Sequence, residues 1–242
     1  MRHNRRSNNC LLQFHMPKFF APADSPADWQ QLLAKPNLHW KTGYSARSLA
    51  YSWTEAQGFP TEVRAVLSAA GAKGLHNLEF LIGIPEHEVP LPGGRRPSQN
   101  DVFVLAKGSD GLVSIAVEGK VAEAFDLPVD ERFAEPTPGQ TTRLQFLLQL
   151  LGLNRNDVGA IGYQLLHRTA SAILEAQRFN ARHAVMLVHS FSQEMKHFDN
   201  YAAFVGLFGQ TAEANQLVQA RQLGDITLYL GWAVGDAEYL TR

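Results

Sequence analysis

Residues 100–120 read NDVFVLAKGSDGLVSIAVEGK. Two β-rich runs, Val102 to Ala106 and Leu112 to Val117, flank Lys107-Gly108-Ser109-Asp110-Gly111, a composition that predicts a β-hairpin. Strand side chains alternate between faces, so Val113, Ile115 and Val117 point one way and Ser114, Ala116, Glu118 and Lys120 the other. Glu118 and Lys120 are then roughly 6–7 Å apart along one face. If Ala106 pairs with Val113, the ladder carries Asp101 back to a position opposite Glu118, and directly opposed residues share a face. A shift of one residue would turn Asp101 to the other side. Two carboxylates and an ammonium gathered at one sheet edge call for a metal ion or an anionic substrate to balance them.

Working outward, the chain changes character on both sides. Before the hairpin, Pro26–Leu33 has a short helical pattern with Ser25 as its cap. Ser45–Gln57 places Leu49, Ala50, Trp53 and Ala56 on one face and stops at Gly58. Thr61–Ala70 turns Val63, Val66 and Leu67 inward. Leu78–Ile84 and the shorter Glu88–Leu91 read as strands, with Pro92-Gly93-Gly94-Arg95-Arg96-Pro97 a loop. Glu86-His87-Glu88 could bind a metal but reads better as an exposed turn between them.

After the hairpin, residues 126–142 are rich in Pro, Asp, Glu and Thr and read as irregular. Helix is expected at Arg143–Leu151, a short turn at Asn156-Asp157, and the strongest helix of the chain at Tyr163–Asn180. His183–His189 is a strand, Asn200–Phe208 and Ala212–Gln222 are helices, and Ile226–Val234 is a last strand. The predicted class is α/β, a mixed sheet between helices.

The 242 residues carry 22 Lys+Arg against 23 Asp+Glu, a net charge of −1 that gives no global field to attract nucleic acid. A polyanion would have to be held by a local patch or by an oligomer, and a homodimer is the commonest assembly. The one cysteine, Cys10, precludes an intrachain disulfide and suits a reducing compartment. No apolar run approaches the length of a membrane span. Residues 1–15 are basic but lack a signal-peptide core, so they are expected to be a disordered leader, with Met16 a candidate start and the cytoplasm the default location. Residues 16–242 are then one domain.

The motif resembles the PD-(D/E)XK nuclease superfamily, the fold of many restriction and repair endonucleases. In that family an aspartate opens one core strand, and (Asp/Glu)-X-Lys ends the next after an aliphatic run. Asn100-Asp101 matches the first element, with Asn where the family usually has Pro. Ile115-Ala116-Val117-Glu118-Gly119-Lys120 matches the second. The resemblance covers about residues 60–190, where the order helix, three strands, helix, strand also fits the family core. It implies a restriction-endonuclease-like mixed β-sheet flanked by helices, with a helical N-terminal and an α/β C-terminal extension.

By the resemblance, Asp101, Glu118 and Lys120 would be catalytic, and Asp101 and Glu118 would ligate Mg²⁺ or Mn²⁺ for hydrolysis of a DNA or RNA phosphodiester. The Ala116 or Gly119 carbonyl would supply a further ligand. Glu55 or Glu62 would be the auxiliary acid of the early helices, and the sequence does not choose between them. Gln164 would face the site from the following helix.

Other readings stand beside these. Arg95 and Arg96 could clamp a phosphate, though a solvated loop is the plainer reading. His167 and Arg168 read as a polar helix face, and Lys107 as solvated. His183 and His189 share a strand face but lack a third metal ligand. The four Trp and 14 Phe are mostly core or interface by their chemistry. Neither a phosphate-binding Gly loop nor a Gly-X-Ser-X-Gly elbow is present. Two alternatives to the enzyme remain: a nuclease-fold protein that only binds a partner or nucleic acid, and a structural protein in which Glu118 and Lys120 are a surface ion pair.

Overall fold

The computed structural model describes residues 23–242. The expected leader, Cys10 and Met16 lie outside the described residues. Four helices come first: α1 (Pro26–Leu32), α2 (Pro36–His39), α3 (Ser45–Ala56) and α4 (Thr61–Ala69). Ser25 caps α1 as expected, in a reciprocal box with Asp28. Then come β1 (Glu79–Val89), β2 (Ser98–Lys107), β3 (Leu112–Lys120), α5 (Val129–Arg132), α6 (Pro138–Leu151), α7 (Tyr163–Arg178), β4 (His183–Ser190), α8 (Phe198–Gly206), β5 (Gln216–Leu223) and β6 (Ile226–Val234).

The six strands form one mixed sheet in the order β1-β2-β3-β4-β6-β5. β1, β2 and β3 are an antiparallel meander, β4 and β6 run parallel to β3, and β5 returns antiparallel on the edge. Parallel strands are covered on both faces, which makes them continuously apolar, and every residue of β4 is buried. Alternation sorts that strand between two cores. Ala184, Met186 and Val188 join the core that includes α6, α7 and α8, and Val185 and Leu187 join the core beneath α3 and α4. Among the described residues, no helix is long and apolar enough to cross a membrane.

Three expectations need correction. Ala212–Gln222 is not a helix, because Gln216–Leu223 is strand β5. The Leu223↔Ile226 pair leaves Gly224-Asp225 as a two-residue hairpin turn, with Gly224 at φ +60°. Edge pairing with β6 overrides the helical propensity of its Ala, Arg, Leu and Gln residues. Helix α6 starts at Pro138 rather than Arg143, because Thr137 and Gln140 form a capping box and Pro138 occupies the first turn. The two short strands before the hairpin are one strand, β1, and it absorbs the segment read as an exposed turn.

Candidate functional site

The hairpin register is the one that brings the acids together. Ala106 pairs with Val113, and the ladder runs to Val102↔Val117, so Asp101 comes next along the strand toward Glu118. Asp101 Oδ2 accepts the Gly119 N–H at 2.7 Å, which fixes its carboxylate against the end of β3. A Cβ at Gly119 would sit 3.3 Å from that same oxygen, so the approach favours glycine.

The neighbouring strand adds a third acid. Pro85 pairs with Val102 and His87 with Asn100, which leaves Glu86 beside Asp101. Glu86 has φ +52°, a left-handed conformation costly for a residue with a side chain. Its Oε2 accepts from Gln99 Nε2 at 2.7 Å. Glu86, Asp101 and Glu118 thus come from three adjacent strands and line one cavity of about 350 Å³.

Two cations answer them. Lys120 Nζ donates to Glu118 Oε1 at 2.6 Å and to Gln164 Oε1 at 2.9 Å. Arg168 Nε donates to Glu118 Oε2 at 2.5 Å. Gln164 and Arg168 are four residues apart on α7 and therefore share a face. The second Arg168 arm donates to Ser98 Oγ at 3.1 Å, and Ser98 Oγ in turn lies 2.8 Å from His167 Nδ1. Glu118, Lys120 and Arg168 are only 3%, 4% and 7% exposed, so this is a buried network and not a surface pair.

Charge in the buried cluster is out of balance, with three carboxylates against two permanent cations, and Glu123 and Asp126 line the same cavity. Burial would raise the Glu118 carboxyl, but Arg168 and Lys120 more than offset this and hold it below its ordinary value. The deficit falls on the other two. Burial, and then the Glu118 charge, push Asp101 from 3.8 up to about 7. Burial, and then Asp101, push Glu86 from 4.5 up to about 9. Groups so displaced in a cleft mark functional sites.

The remaining wall comes from the N-terminal segment, through Leu33, Ala34, His39, Tyr44, Ser45 and Ala46, and from the segment after β3, which adds two further acids, Glu123 and Asp126. The oxygen-rich donor set and the uncompensated negative charge fit a hard divalent cation in kind. Both Glu118 oxygens are engaged by cations, however, and no group of three or more His, Cys, Asp or Glu among the described residues is arranged to hold a metal.

Asp101, Glu118, Lys120 and Gln164 therefore meet in the cavity, while Arg95 and Arg96 are exposed and do not line it. Neither early-helix glutamate reaches it either. Glu55 and Glu62 line a separate cavity of about 910 Å³. There Tyr239 donates to Glu55 at 3.2 Å, and Glu62 lies 2.8 Å from His189 Nε2. Trp53 Nε1 donates to His189 Nδ1 at 3.1 Å. His183 pairs instead with Asp110 at 3.1 Å, so the two strand histidines serve separate contacts.

Sequence reasoning set Arg168 on a polar helix face and preferred an exposed turn for Glu86. The four-residue step from Gln164 was the available signal for Arg168. For Glu86 the signal was the metal-binding character of Glu86-His87-Glu88, but its place beside Asp101 depends on the left-handed kink within β1.

Fold and site together define an α/β protein with a buried acid–base cluster where the antiparallel meander meets the parallel strands. Residues 22–237 match the model of the DUF6946 family, a domain of unknown function, and the chain belongs to that family. No curated protein and no solved structure matches the chain.

Proposed function

We propose that this protein is a metal-dependent nuclease of the PD-(D/E)XK kind, hydrolysing phosphodiester bonds of nucleic acid in the Glu86–Asp101–Glu118 cavity. The observation that carries the reading is the convergence of Asp101, Glu118 and Lys120 with a surplus of negative charge, which a divalent cation would neutralise. The element order α4, β1-β2-β3, α7, β4 supports a restriction-endonuclease-like core.

In this reading Asp101 and Glu118 would hold Mg²⁺ or Mn²⁺, and the ion would acidify a bound water and neutralise charge growing on the phosphate. Lys120, aimed by Glu118 and Gln164, orients that water and stabilises the developing anion. Arg168 is the second cation available to a phosphate oxygen. Arg95 and Arg96 have no part in it.

One observation favours a second reading. Arg168 already occupies Glu118 Oε2, as it would in a nuclease-fold protein that binds nucleic acid or a protein partner without cleaving. Labelled single- and double-stranded DNA and RNA incubated with Mg²⁺ or Mn²⁺ separate the two. Cleavage by the wild type that disappears with Asp101→Ala supports the enzyme. Binding without cleavage supports the second reading, and neither cleavage nor binding refutes both.

A further inference from the structure

The second cavity, between α3, α4 and the segment after β6, has a charge pattern unlike the first. Its volume of about 910 Å³ lies at the upper end of ligand-sized sites. Ser52, Glu55 and Ala56 stand at three- and four-residue spacing, so one face of α3 forms a wall. The first turn of α4 adds Glu62, and the segment after β6 adds Asp236, Glu238 and Tyr239. Among the described residues, four acids therefore line this cavity and no lysine, arginine or histidine does. The Asp101 cavity holds Lys120 and Arg168 among its acids. Here a counter-charge has to come from an occupant.

The acids act on a common space. Tyr239 donates to Glu55 Oε2 at 3.2 Å. Burial, and then the charges of Glu55, Glu238 and Glu62, push the Tyr239 phenol from 10.0 up to about 12. Burial would raise the Glu62 carboxyl, but His189 Nε2, 2.8 Å from Oε1, holds it below its ordinary value and so keeps it anionic at neutral pH.

Two observations besides the acids point to a ligand. Ser52 is 1% exposed, and its hydroxyl has no hydrogen-bond partner among the described residues. A buried hydroxyl left unpaired costs free energy, and at the wall of a cavity its missing partner can come from within. The chain's own Arg242 lies at the rim. Its Nη2 is 3.8 Å from Glu55 Oε1 and 4.0 Å from Glu238 Oε2, and the side chain is 46% exposed. An exposed pair at such distances is worth little and exchanges readily, so a guanidinium fits this rim without being seated in it.

We infer that the second cavity binds a small organic cation carrying ammonium or guanidinium groups, whose charge answers Glu55, Glu62, Asp236 and Glu238 and one of whose N–H groups donates to Ser52 Oγ. Charge-assisted bonds of that kind are the strong ones. Carboxylates spread round a cavity of this width suit a ligand several bonds long, whereas a hard metal ion needs all its oxygens within about 2.0–2.6 Å of one point.

The test is isothermal titration of the whole chain, at neutral pH in chelator, with agmatine, which has an ammonium at one end and a guanidinium at the other, and with uncharged butanediol. Agmatine is expected to bind saturably and the diol not at all. Glu62→Gln and Glu55→Gln should each weaken agmatine binding about tenfold or more, as loss of a charged hydrogen-bond partner does. Ser52→Ala should weaken it about two- to tenfold. Arg242→Gln, which removes the competing guanidinium, should tighten it by up to about fivefold. Glu131→Gln, exposed on α5 and outside the lining, should change nothing. Glutamine is nearly isosteric with glutamate, and matching melting curves establish that each variant folds. Absence of saturable agmatine binding, equal binding of the diol, or binding indifferent to both Glu62→Gln and Glu55→Gln overturns the inference. None of these results bears on the nuclease reading of the Asp101 cavity.

Discussion

Arg168 Nε stands 2.5 Å from Glu118 Oε2, with both side chains more than nine-tenths buried. A buried pair of this kind is weak evidence of stabilisation, but removing one partner leaves the other charge uncompensated at a cost of about 3–5 kcal/mol. Arg168→Met should therefore lower the melting temperature by about 6–20 °C, as about 1 kcal/mol moves a domain of this size by roughly 2–4 °C. Mn²⁺ should raise the melting temperature of this variant more than that of the wild type, because the ion replaces the missing cation. Calorimetric scans with and without Mn²⁺ measure both effects.

The raised Glu86 carboxyl makes stability depend on pH in a defined window. In the unfolded chain Glu86 ionises near 4.5, whereas in the folded chain it keeps its proton up to about 9. Between those values the unfolded state binds fewer protons, so stability falls as pH rises. His87 and His167 are both held below 6.5 and push the other way, but only below that pH. Asp101, raised to about 7, adds to the fall up to about that pH, and above it Glu86 is left in control up to about 9. Urea midpoints in chelator should decline across that window, by up to about 1.4 kcal/mol per pH unit. Glu86→Gln should flatten the decline.

The chain from Trp53 to His189 to Glu62 fixes a histidine tautomer. An indole N–H can only donate, so His189 Nδ1 must be the bare, accepting nitrogen, and Nε2 carries the proton toward Glu62. Burial alone would raise the Glu62 carboxyl, but its bond with His189 holds it below the ordinary value. Trp53→Phe should cost about 1–3 kcal/mol by leaving Nδ1 buried and unpaired, beyond any packing loss. Urea denaturation gives the cost, and nitrogen NMR of His189 should show the Nε2–H form in the wild type.

The β5–β6 turn offers a local test. Gly224 adopts φ +60°, which costs a residue with a Cβ roughly 1–2 kcal/mol. Gly224→Ala should lose about that much stability in urea, while Gly224→Asn should lose less because Asn tolerates the left-handed region.

Legibility followed the range of the interactions. The hairpin could be read because its turn is short, and the sequence permitted but did not force the register, Ala106 opposite Val113, that brings Asp101 toward Glu118 and Lys120. Gln164 came from the resemblance and indeed contacts Lys120. The edge strand β5 was misread because its residues favour helix in isolation, and only pairing with β6 makes them a strand. Arg168 was assigned to a polar helix face because a charged residue on a helix usually is, yet an acid fifty positions earlier in the chain, Glu118, draws it inward. Glu86 depends on a left-handed residue inside a strand, which local pattern does not encode. Glu62, like Glu55, was a candidate through the resemblance, but it is paired with His189 in another cavity.

The central claim is that the surplus of carboxylates at Asp101 takes up a divalent cation. Isothermal titration of the whole chain with Mn²⁺ at neutral pH tests it directly. The account predicts saturable binding that is lost in Asp101→Asn and retained in Glu62→Gln, whose side chain belongs to the other cavity. Heat that is absent in the wild type, or that survives unchanged in Asp101→Asn, would contradict it.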